Sequence, residues 1–462
     1  MLYNSCGERQ FNVQKFFVSA DKRFVLLVHD IRKTTYYSFK AKYKIYNITN
    51  EHIISLTTLG GNQDLDFAEF GRNGNQIVYI YQNNIYYKNS VSDNAIAVIK
   101  SGQPGIVYNG VPDWLYGERI WKTNRALWWN PFGTRLCFAT FDDSLVDTVS
   151  YIKYGSYEST SNIMPEIMSI KYPKPGTTNP SVTLWVVDLT TPSTPRRLEQ
   201  KDMKGEHYLT SVSWIDSQSL TTVWMRRQHN CSLISICSEK SDWICKKNFE
   251  DCIGEKRMAW SELFDPPVIT SDKKHYLIRL PSNGDNTNKL RQISGISIGS
   301  EIQKFITKED NDVTQVLAFS GVNDTVFYEA TLAISPPQKH IFRKSKIFTA
   351  EAGDAICLTC NQIDRNCTYQ TAIFSPNAHH FMLICLGMVL KLGSEEKLQN
   401  LLQFRAFPQF RTFQVPIRDY LANVKLILPP GLRENEEIKF PLVVQIKIGA
   451  SNSSTKTNLI HY

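Results

Sequence analysis

The chain has 462 residues, which is too long for one ordinary hydrophobic core and suggests about two to three domains unless a repeat spreads the core along the chain. Aromatic residues make up 12% of it, with 21 Tyr and 24 Phe beside many short β-branched runs, so the composition favours an all-β fold over a helical one. The net charge of +8 is spread thinly over the chain and does not imply a nucleic-acid partner.

In chain order, the dominant pattern is a strand-turn-strand unit that recurs seven times. Each copy starts with aromatic or apolar residues, turns through Ser, Asn, Asp, Gly or Pro, and resumes in an apolar strand. The copies begin at Phe16, Ala68, Leu127, Val212, Pro266, Leu317 and Ala372. Their spacing is about 50 to 60 residues in all but one gap, which is the scale of one four-stranded propeller blade. We therefore expect a β-propeller with an incomplete N-terminal blade and an insertion between Leu127 and Val212, although several sandwich domains would also give short strands.

No window of the chain reaches the 18 apolar residues that a membrane helix needs, and the first ten residues lack the pattern of a signal peptide. The cysteines favour an exported protein, because ten of them, several closely spaced, are typical of local disulfides in an oxidising compartment. Acceptor sites for N-glycosylation point the same way and begin at Asn47, Asn230, Asn323, Asn366 and Asn452. We expect a targeting segment that precedes this sequence.

Two short motifs suggest chemistry that the surrounding pattern disfavours. The pair Cys357 and Cys360 has the spacing of half a zinc site or of a redox pair, but no second C-x-x-C exists and no histidine lies at ligand spacing in the sequence, so we expect no metal. Ser297 is the centre of the chain's G-x-S-x-G string. A nucleophile elbow needs a helix directly after the serine, and S-E-I-Q-K-F is a poor helix start, so we expect a connection within the propeller.

Five motifs in order resemble the dipeptidyl peptidase IV family, within the prolyl oligopeptidase group. They are D-W-L-Y at Asp113–Tyr116, A-L-W-W-N-P-F-G-T-R-L at Ala126–Leu136, Y-P-K-P-G-T-T-N-P-S-V at Tyr172–Val182, W-M-R-R-Q-H-N-C-S at Trp224–Ser232, and C-L-T-C…C-T-Y…F-S-P at Cys357–Pro376. The resemblance reaches from about Arg23 to Gly449. It implies an eight-bladed propeller over residues 1–402, followed over residues 403–462 by the first strands of an incomplete α/β-hydrolase domain.

The resemblance also implies an extracellular or plasma-membrane-associated protein that forms a homodimer. In the hydrolase region, the predicted strands are Val424–Leu432 and Phe440–Gly449. The implied disulfides join Cys237 to Cys245, Cys357 to Cys360 and Cys367 to Cys385. Cys6, Cys137, Cys231 and Cys252 remain unassigned.

In the family, two neighbouring carboxylates hold the free α-amino group of the substrate, because a buried ammonium needs paired negative charge. Here that pair aligns with Glu118 and Arg119, so one charge is reversed. The family's arginine for the substrate carbonyl aligns with Tyr36, its pocket aromatic with Glu262, and its oxyanion tyrosine with Lys447. Without a substrate role, Glu118 and Arg119 would form a solvated ion pair worth under about 1 kcal/mol.

Two functions follow from these residues. The catalytic Ser, Asp and His of the family would lie beyond Tyr462, so we expect the chain as given to be a non-catalytic propeller that binds peptides or protein partners. The alternative is a fragment of an active serine-type dipeptidyl aminopeptidase, which removes Xaa-Pro or Xaa-Ala dipeptides from peptide N-termini. Neither function calls for a cofactor, a metal or a nucleic acid.

Overall fold

The fold is known from a computed structural model. It describes residues 12–57, 63–154, 164–191, 194–252, 265–282, 290–308, 310–332, 335–349, 353–360, 369–375, 377–385, 409–417 and 420–430, together with Leu432 and Val444. Within these residues almost all regular structure is β-strand.

In the described residues seven sheets follow one another along the chain, antiparallel except for one parallel pair in the fourth, and we number them sheets 1 to 7. Sheet 1 contains β1 (Val13–Val18), β2 (Phe24–Lys33), β3 (Phe39–Asn47) and β4 (Ile53–Ser55), and sheet 2 contains β5 (Phe67–Phe70), β6 (Ile77–Tyr81), β7 (Asn84–Lys88) and β8 (Ile96–Ile99). Sheet 3 contains β9 (Val107–Asn109), β10 (Leu127–Trp129), β11 (Arg135–Asp142), β14 (Ser181–Asp188) and β15 (Arg196–Arg197), and its insertion contains β12 (Thr148–Lys153) and β13 (Glu166–Lys171).

Sheet 4 contains β16 (Glu199–Gln200), β17 (His207–Trp214), β18 (Ser219–Arg226), β19 (Cys231–Ser238) and β20 (Ile244–Cys252), with β16 parallel to β20. Sheet 5 contains β21 (Val268–Ile269), β22 (His275–Pro281), β23 (Arg291–Ser297) and β24 (Gln303–Phe305). Sheet 6 contains β25 (Val313–Ser320), β26 (Thr325–Leu332), β27 (Ser335–Lys344) and β28 (Ile356–Cys357), and sheet 7 contains β29 (Gln370–Phe374) and β30 (Phe381–Cys385). A last hairpin joins β31 (Gln409–Ile417) to β32 (Tyr420–Leu428).

The seven repeated sequence units are the first hairpins of the seven sheets. They correspond to β1–β2, β5–β6, β10–β11, β17–β18, β21–β22, β25–β26 and β29–β30. The predicted all-β propeller class is confirmed. The long gap after Leu127 contains the hairpin β12–β13, which leaves sheet 3 between β11 and β14.

The hydrophobic core is divided among the contacts between successive sheets. One buried cluster joins Leu26 and Ile45 of sheet 1 to Ile77 of sheet 2, and another joins Ile80 of sheet 2 to Leu136 of sheet 3. In the described residues the core is therefore spread along the chain between neighbouring sheets, as in other repeat architectures.

The predicted boundary between propeller and hydrolase regions, at residues 402 and 403, lies outside the described residues and stays a prediction. The hairpin β31–β32 includes most of the first predicted hydrolase strand. The second predicted strand is described at Val444 alone. None of the helices in the described residues is long and apolar enough to cross a membrane.

Candidate functional site

The segment that carries Glu118 and Arg119 is a short helical turn between β9 and β10. The carboxylate of Asp113 caps it, accepting hydrogen bonds from the backbone N–H groups of Leu115 (2.9 Å) and Tyr116 (3.3 Å). Residues Tyr116–Ile120 then form one π-helical turn, which ends where the N–H of Trp121 donates to the carbonyl of Tyr116 at 2.8 Å. Such turns are frequent at functional sites.

Two aromatic side chains anchor this turn to sheet 4. Tyr116 is fully buried, and its hydroxyl oxygen accepts a hydrogen bond from the N–H of Leu209 at 3.1 Å. The indole N–H of Trp121 donates to the carbonyl of Thr210 at 3.1 Å. The rings of Tyr116 and Trp121 also contact each other and Phe141 of β11. The turn is therefore held by buried contacts whether or not it binds anything.

Glu118 points to the turn between β2 and β3 of sheet 1. Its Oε1 accepts hydrogen bonds from the hydroxyl of Thr35 at 2.5 Å and from the N–H of Tyr37 at 2.9 Å. Tyr36 lies between these two residues, and its side chain is 77% exposed. The structure thus brings together Glu118 and Tyr36, two positions that the family resemblance had assigned to one substrate site.

Arg119 is exposed and does not pair with Glu118. Its guanidinium carbon lies 5.4 Å from the centre of the Trp114 ring, an arrangement typical of a cation–π contact. The described residues include no ion pair between Arg119 and Glu118, so the expected solvated ion pair is wrong. The site instead presents a carboxylate that is already hydrogen-bonded and a cation that faces solvent.

A pair of buried carboxyl groups beneath this turn was missed by the sequence reasoning. Burial raises the pKa of both Asp113 and Asp143, and the charge of Asp113 raises that of Asp143 further. In the described residues Asp143 Oδ1 has no hydrogen-bond partner. The only sequence signal is that Asp143 directly follows β11, where the insertion begins, and an acidic residue there would ordinarily be assigned to a solvated loop.

Ser297 lies at the end of β23 and not on a nucleophile elbow. Its N–H donates to the carbonyl of Ile302 at 3.0 Å, which closes a turn between β23 and β24. His275 is its neighbour across the strand pair, but within the described residues no hydrogen bond joins the two side chains. The string at Gly295–Gly299 therefore belongs to a strand end and a turn.

The structure contains disulfides between Cys237 and Cys245 and between Cys357 and Cys360. Cys385 is also disulfide-bonded, whereas Cys367, its expected partner, lies outside the described residues. A further disulfide, absent from the sequence-based assignment, joins Cys231 to Cys252.

The register of β19 and β20 explains that extra disulfide. Cys237 lies opposite Cys245, and a bulge between Ile234 and Ser235 shifts the register so that Cys231 lies opposite Cys252. Without the bulge, the register of the assigned pair would place Cys231 opposite Asp251, so the second disulfide depends on the bulge. Cys137 is the free cysteine of the described residues and is buried.

No histidine lies at ligand spacing from the C-x-x-C pair in the sequence, but the fold brings one beside it. His340 comes from the neighbouring strand β27, and its ring nitrogen and the sulfur atoms of Cys357 and Cys360 lie within 4.8 Å of one another. Spacing along the sequence could not show this because the contact is made across two strands.

Several other predicted site residues are described only in part. Of the glycosylation positions, Asn323 is exposed, Asn47 is half-buried and Asn230 is half-buried. Asn366, Asn452, Glu262 and Lys447 lie outside the described residues. Glycosylation stays a prediction.

The comparisons with known proteins agree with the motifs. Residues 19–391 match the family model described as "Dipeptidyl peptidase IV (DPP IV) N-terminal region". The chain belongs to the dipeptidyl peptidase IV family. It is 27% identical over 469 residues to "Inactive dipeptidyl peptidase 10" of Mus musculus, covering 96% of this chain and 57% of the relative.

It is 28% identical over 474 residues to "Prolyl endopeptidase FAP" of Homo sapiens, covering 97% of this chain and 60% of that protein. The crystal structure of dipeptidyl peptidase 4 from Porphyromonas gingivalis has the same fold, with a TM-score of 0.74 at 19% identity, over 93% of this chain and 59% of that one. The chain thus spans somewhat more than half the length of these members of the dipeptidyl peptidase IV family.

Proposed function

We propose that this chain is a non-catalytic propeller module of the dipeptidyl peptidase IV family that binds peptides or protein partners. One observation carries the proposal. Where a substrate amine would require two carboxylates, the chain has Glu118, whose Oε1 already accepts two hydrogen bonds, and Arg119, which stacks on Trp114.

The electrostatics of that arrangement disfavour a free N-terminus. An α-ammonium group is held by charge-assisted hydrogen bonds to carboxylates, and removing one carboxylate halves the negative charge available. Arg119 goes further, since its guanidinium is charged at every accessible pH and repels a second cation placed beside Glu118. A peptide would therefore be bound through other contacts than its amino group.

The alternative is a fragment of an active dipeptidyl aminopeptidase that acts on Xaa-Pro or Xaa-Ala N-termini. It is favoured by one feature, the hydrogen bonds that place Glu118 beside Tyr36, since the family resemblance assigns both positions to one substrate site. The relatives include both possibilities by name, an "Inactive dipeptidyl peptidase 10" and a "Dipeptidyl peptidase 4".

A turnover assay tests whether the chain as given is non-catalytic, whereas sequencing the transcript beyond Tyr462 for a G-x-S-x-G elbow, an acid and a His separates the two functions. The purified 462-residue chain, free of host peptidases, should release no product from a Gly-Pro anilide. Arg119→Glu restores the carboxylate pair and should strengthen binding of a Gly-Pro dipeptide without producing turnover, because the pair orients a substrate and does not attack it. Release of product that survives purification and is lost in Ser297→Ala would contradict the proposal.

We also propose that the partners include a second copy of this chain, bound through the hairpin β12–β13. Ile152 and Ile167 face each other across this hairpin and are 55% and 78% exposed. Tyr151 is exposed as well. A two-stranded hairpin is only marginally stable alone, so pairing with the same hairpin of another copy would supply the missing apolar cover.

The molar mass in solution tests this partner. We expect a dimer by light scattering, and Ile167→Glu should convert it to a monomer. Phe132→Glu is the control, because Phe132 is an exposed apolar residue, 63% exposed, that lies outside the hairpin, in the β10–β11 turn of sheet 3. A monomeric wild-type chain would refute the dimer, as would equal dissociation by the control.

An extracellular or plasma-membrane location is likewise proposed, and the disulfides support it.

A further inference from the structure

The edge of sheet 6 brings three soft metal ligands together. Phe342 of β27 lies opposite Cys357 of β28, and His340 precedes Phe342 by two residues. Residues two apart on a strand point to the same face, so His340 and Cys357 are diagonal neighbours. Cys360 follows one turn later, and the ring nitrogen and both sulfur atoms lie within 4.8 Å of one another.

The imidazole of His340 is held in the orientation of a ligand. The residue is 5% exposed, and its Nδ1 lies 3.2 Å from the hydroxyl oxygen of Thr359, which is part of the same C-x-x-C segment. Its Nε2 is buried and has no hydrogen-bond partner among the described residues. Buried polar atoms are nearly always paired, so an unpaired ring nitrogen on a histidine that lies beside two cysteines needs an explanation.

Hydrogen bonds hold the C-x-x-C segment in place beside β27. The N–H of Cys360 donates to the sulfur of Cys357 at 3.0 Å. Two further hydrogen bonds fix this segment to β27, from Leu358 N–H to the carbonyl of Ile341 (2.8 Å) and from Ile341 N–H to the hydroxyl of Thr359 (3.1 Å). The ligands are therefore positioned before any metal arrives.

We propose that the Cys357–Cys360 disulfide is the oxidised form of a zinc site, and that the reduced chain binds one Zn²⁺ through His340, Cys357 and Cys360. Two thiolates and one imidazole are a ligand set that zinc prefers, and the fourth tetrahedral position is left to water. Cys360 is exposed, so both a reductant and the metal have access from solvent.

The two forms are linked by a balanced reaction. A dithiol reductant gives two electrons and two protons to the disulfide and becomes a disulfide itself. The two protein thiols then lose their protons to solvent as they bind Zn²⁺, which changes no oxidation state. Because the same sulfur atoms serve both forms, the disulfide and the metal exclude each other, and bound zinc protects the thiols from reoxidation.

A second group of close ligands, Cys231, Cys252 and Glu250, provides an internal comparison. The ammonium group of Lys247 lies 3.3 Å from the carboxylate of Glu250. A cation already occupies the neighbourhood of that carboxylate, and no imidazole is present, so we expect no zinc there.

The test uses the complete 462-residue chain, reduced without oxygen by a phosphine, which becomes the phosphine oxide with water as the oxygen source. Co²⁺ is the probe because its thiolate complexes absorb in the near ultraviolet and visible ranges, and Zn²⁺ should displace it and remove the bands. Reduced wild-type chain should bind one equivalent, and the unreduced chain none. The double variant Cys357→Ser with Cys360→Ser should lose the bands, whereas Cys231→Ser with Cys252→Ser should keep them.

His340→Gln keeps both thiols and should weaken Co²⁺ binding at least about tenfold. Because His340 is buried, circular dichroism of the unreduced His340→Gln variant checks that this variant still folds. Should it not fold, Thr359→Val removes the group that orients the ring and should weaken binding about tenfold or more, whereas Thr359→Ser keeps the hydroxyl and the affinity. Absence of Co²⁺ binding in the reduced wild-type chain would overturn the proposal. A His340→Gln variant that binds Co²⁺ as tightly as the wild type would also overturn it, and so would a Thr359→Val variant that binds as tightly as Thr359→Ser.

Discussion

The two halves of the helical turn before β10 differ in what holds them. The first half, Asp113 to Tyr116, is capped, buried and hydrogen-bonded to sheet 4. In the second half, Glu118 is hydrogen-bonded to the β2–β3 turn and Arg119 lies against the Trp114 ring. The first half therefore determines whether the turn exists, and the second half determines what the turn can bind. A recognition surface can change its charge while its support stays intact.

The largest effect should follow from breaking the buried half. Tyr116→Ala removes a fully buried ring from contact with Trp121 and Phe141, and should lower the free energy of unfolding by roughly 3 to 5 kcal/mol. The midpoint of urea-induced unfolding measures this. Tyr116→Phe keeps the ring and loses only the hydrogen bond from Leu209, so it should cost about 1 kcal/mol. Equal losses in the two variants would mean that the ring does not support the turn.

A smaller effect, dependent on pH, should come from the carboxyl pair below the turn. Burial raises the pKa of Asp143 above its ordinary value, so its protonated form stabilises the folded chain at low pH. That stabilisation is fully present below about pH 4 and is lost as the pH rises through the raised pKa. Asp143→Asn should therefore stabilise the chain at pH 8 by roughly 1 to 2 kcal/mol and change little at pH 4.

Thermal unfolding of the wild-type chain and the Asp143→Asn variant across this pH range checks the sign. Asp142→Asn is the control. Asp142 is next to Asp143 in the chain but is partly exposed, so we expect no comparable gain in stability at pH 8. A gain for Asp143→Asn that is largest at pH 4 would show that the buried pair is ionised in the folded chain.

The smallest effect should be seen in the exposed half. Arg119→Ala removes a contact with Trp114 at the surface and should change the free energy of unfolding by no more than about 0.5 kcal/mol. The same urea experiment applies. A loss comparable to that of Tyr116→Ala would show that Arg119 supports the turn, and the contrast between the two halves would then be wrong.

Much of the architecture could be predicted from local patterns. Apolar strands separated by Ser, Asn, Asp, Gly or Pro turns gave the seven first hairpins, because strand periodicity and turn chemistry are properties of neighbouring residues. The pairing of Cys237 with Cys245 depends on the same short range, since both lie on adjacent strands of one hairpin. The order and class of the sheets followed from these signals.

The candidate site depended on contacts that are distant in the sequence. The hydrogen bonds of Glu118 go to Thr35 and Tyr37, more than eighty residues away, and these replaced the expected pair with Arg119. Asp143 is buried near Asp113, and its N–H donates to the carbonyl of Ile106, so its surroundings come from segments that precede β9 and β10 in the chain. Neither partner can be read from residues near Glu118 or Asp143.

The sequence by itself determined the β-class, the seven repeated hairpins, the family and the altered charge at Arg119, because each of these depends only on residue types and on short spacings along the chain. Only the tertiary structure decided which groups satisfy Glu118, that Cys231 joins Cys252, and that His340 lies beside Cys357 and Cys360. The physical reason is that strand register and sheet packing bring together side chains from different strands, and the energy of those contacts depends on distance in space and on burial, not on separation along the chain.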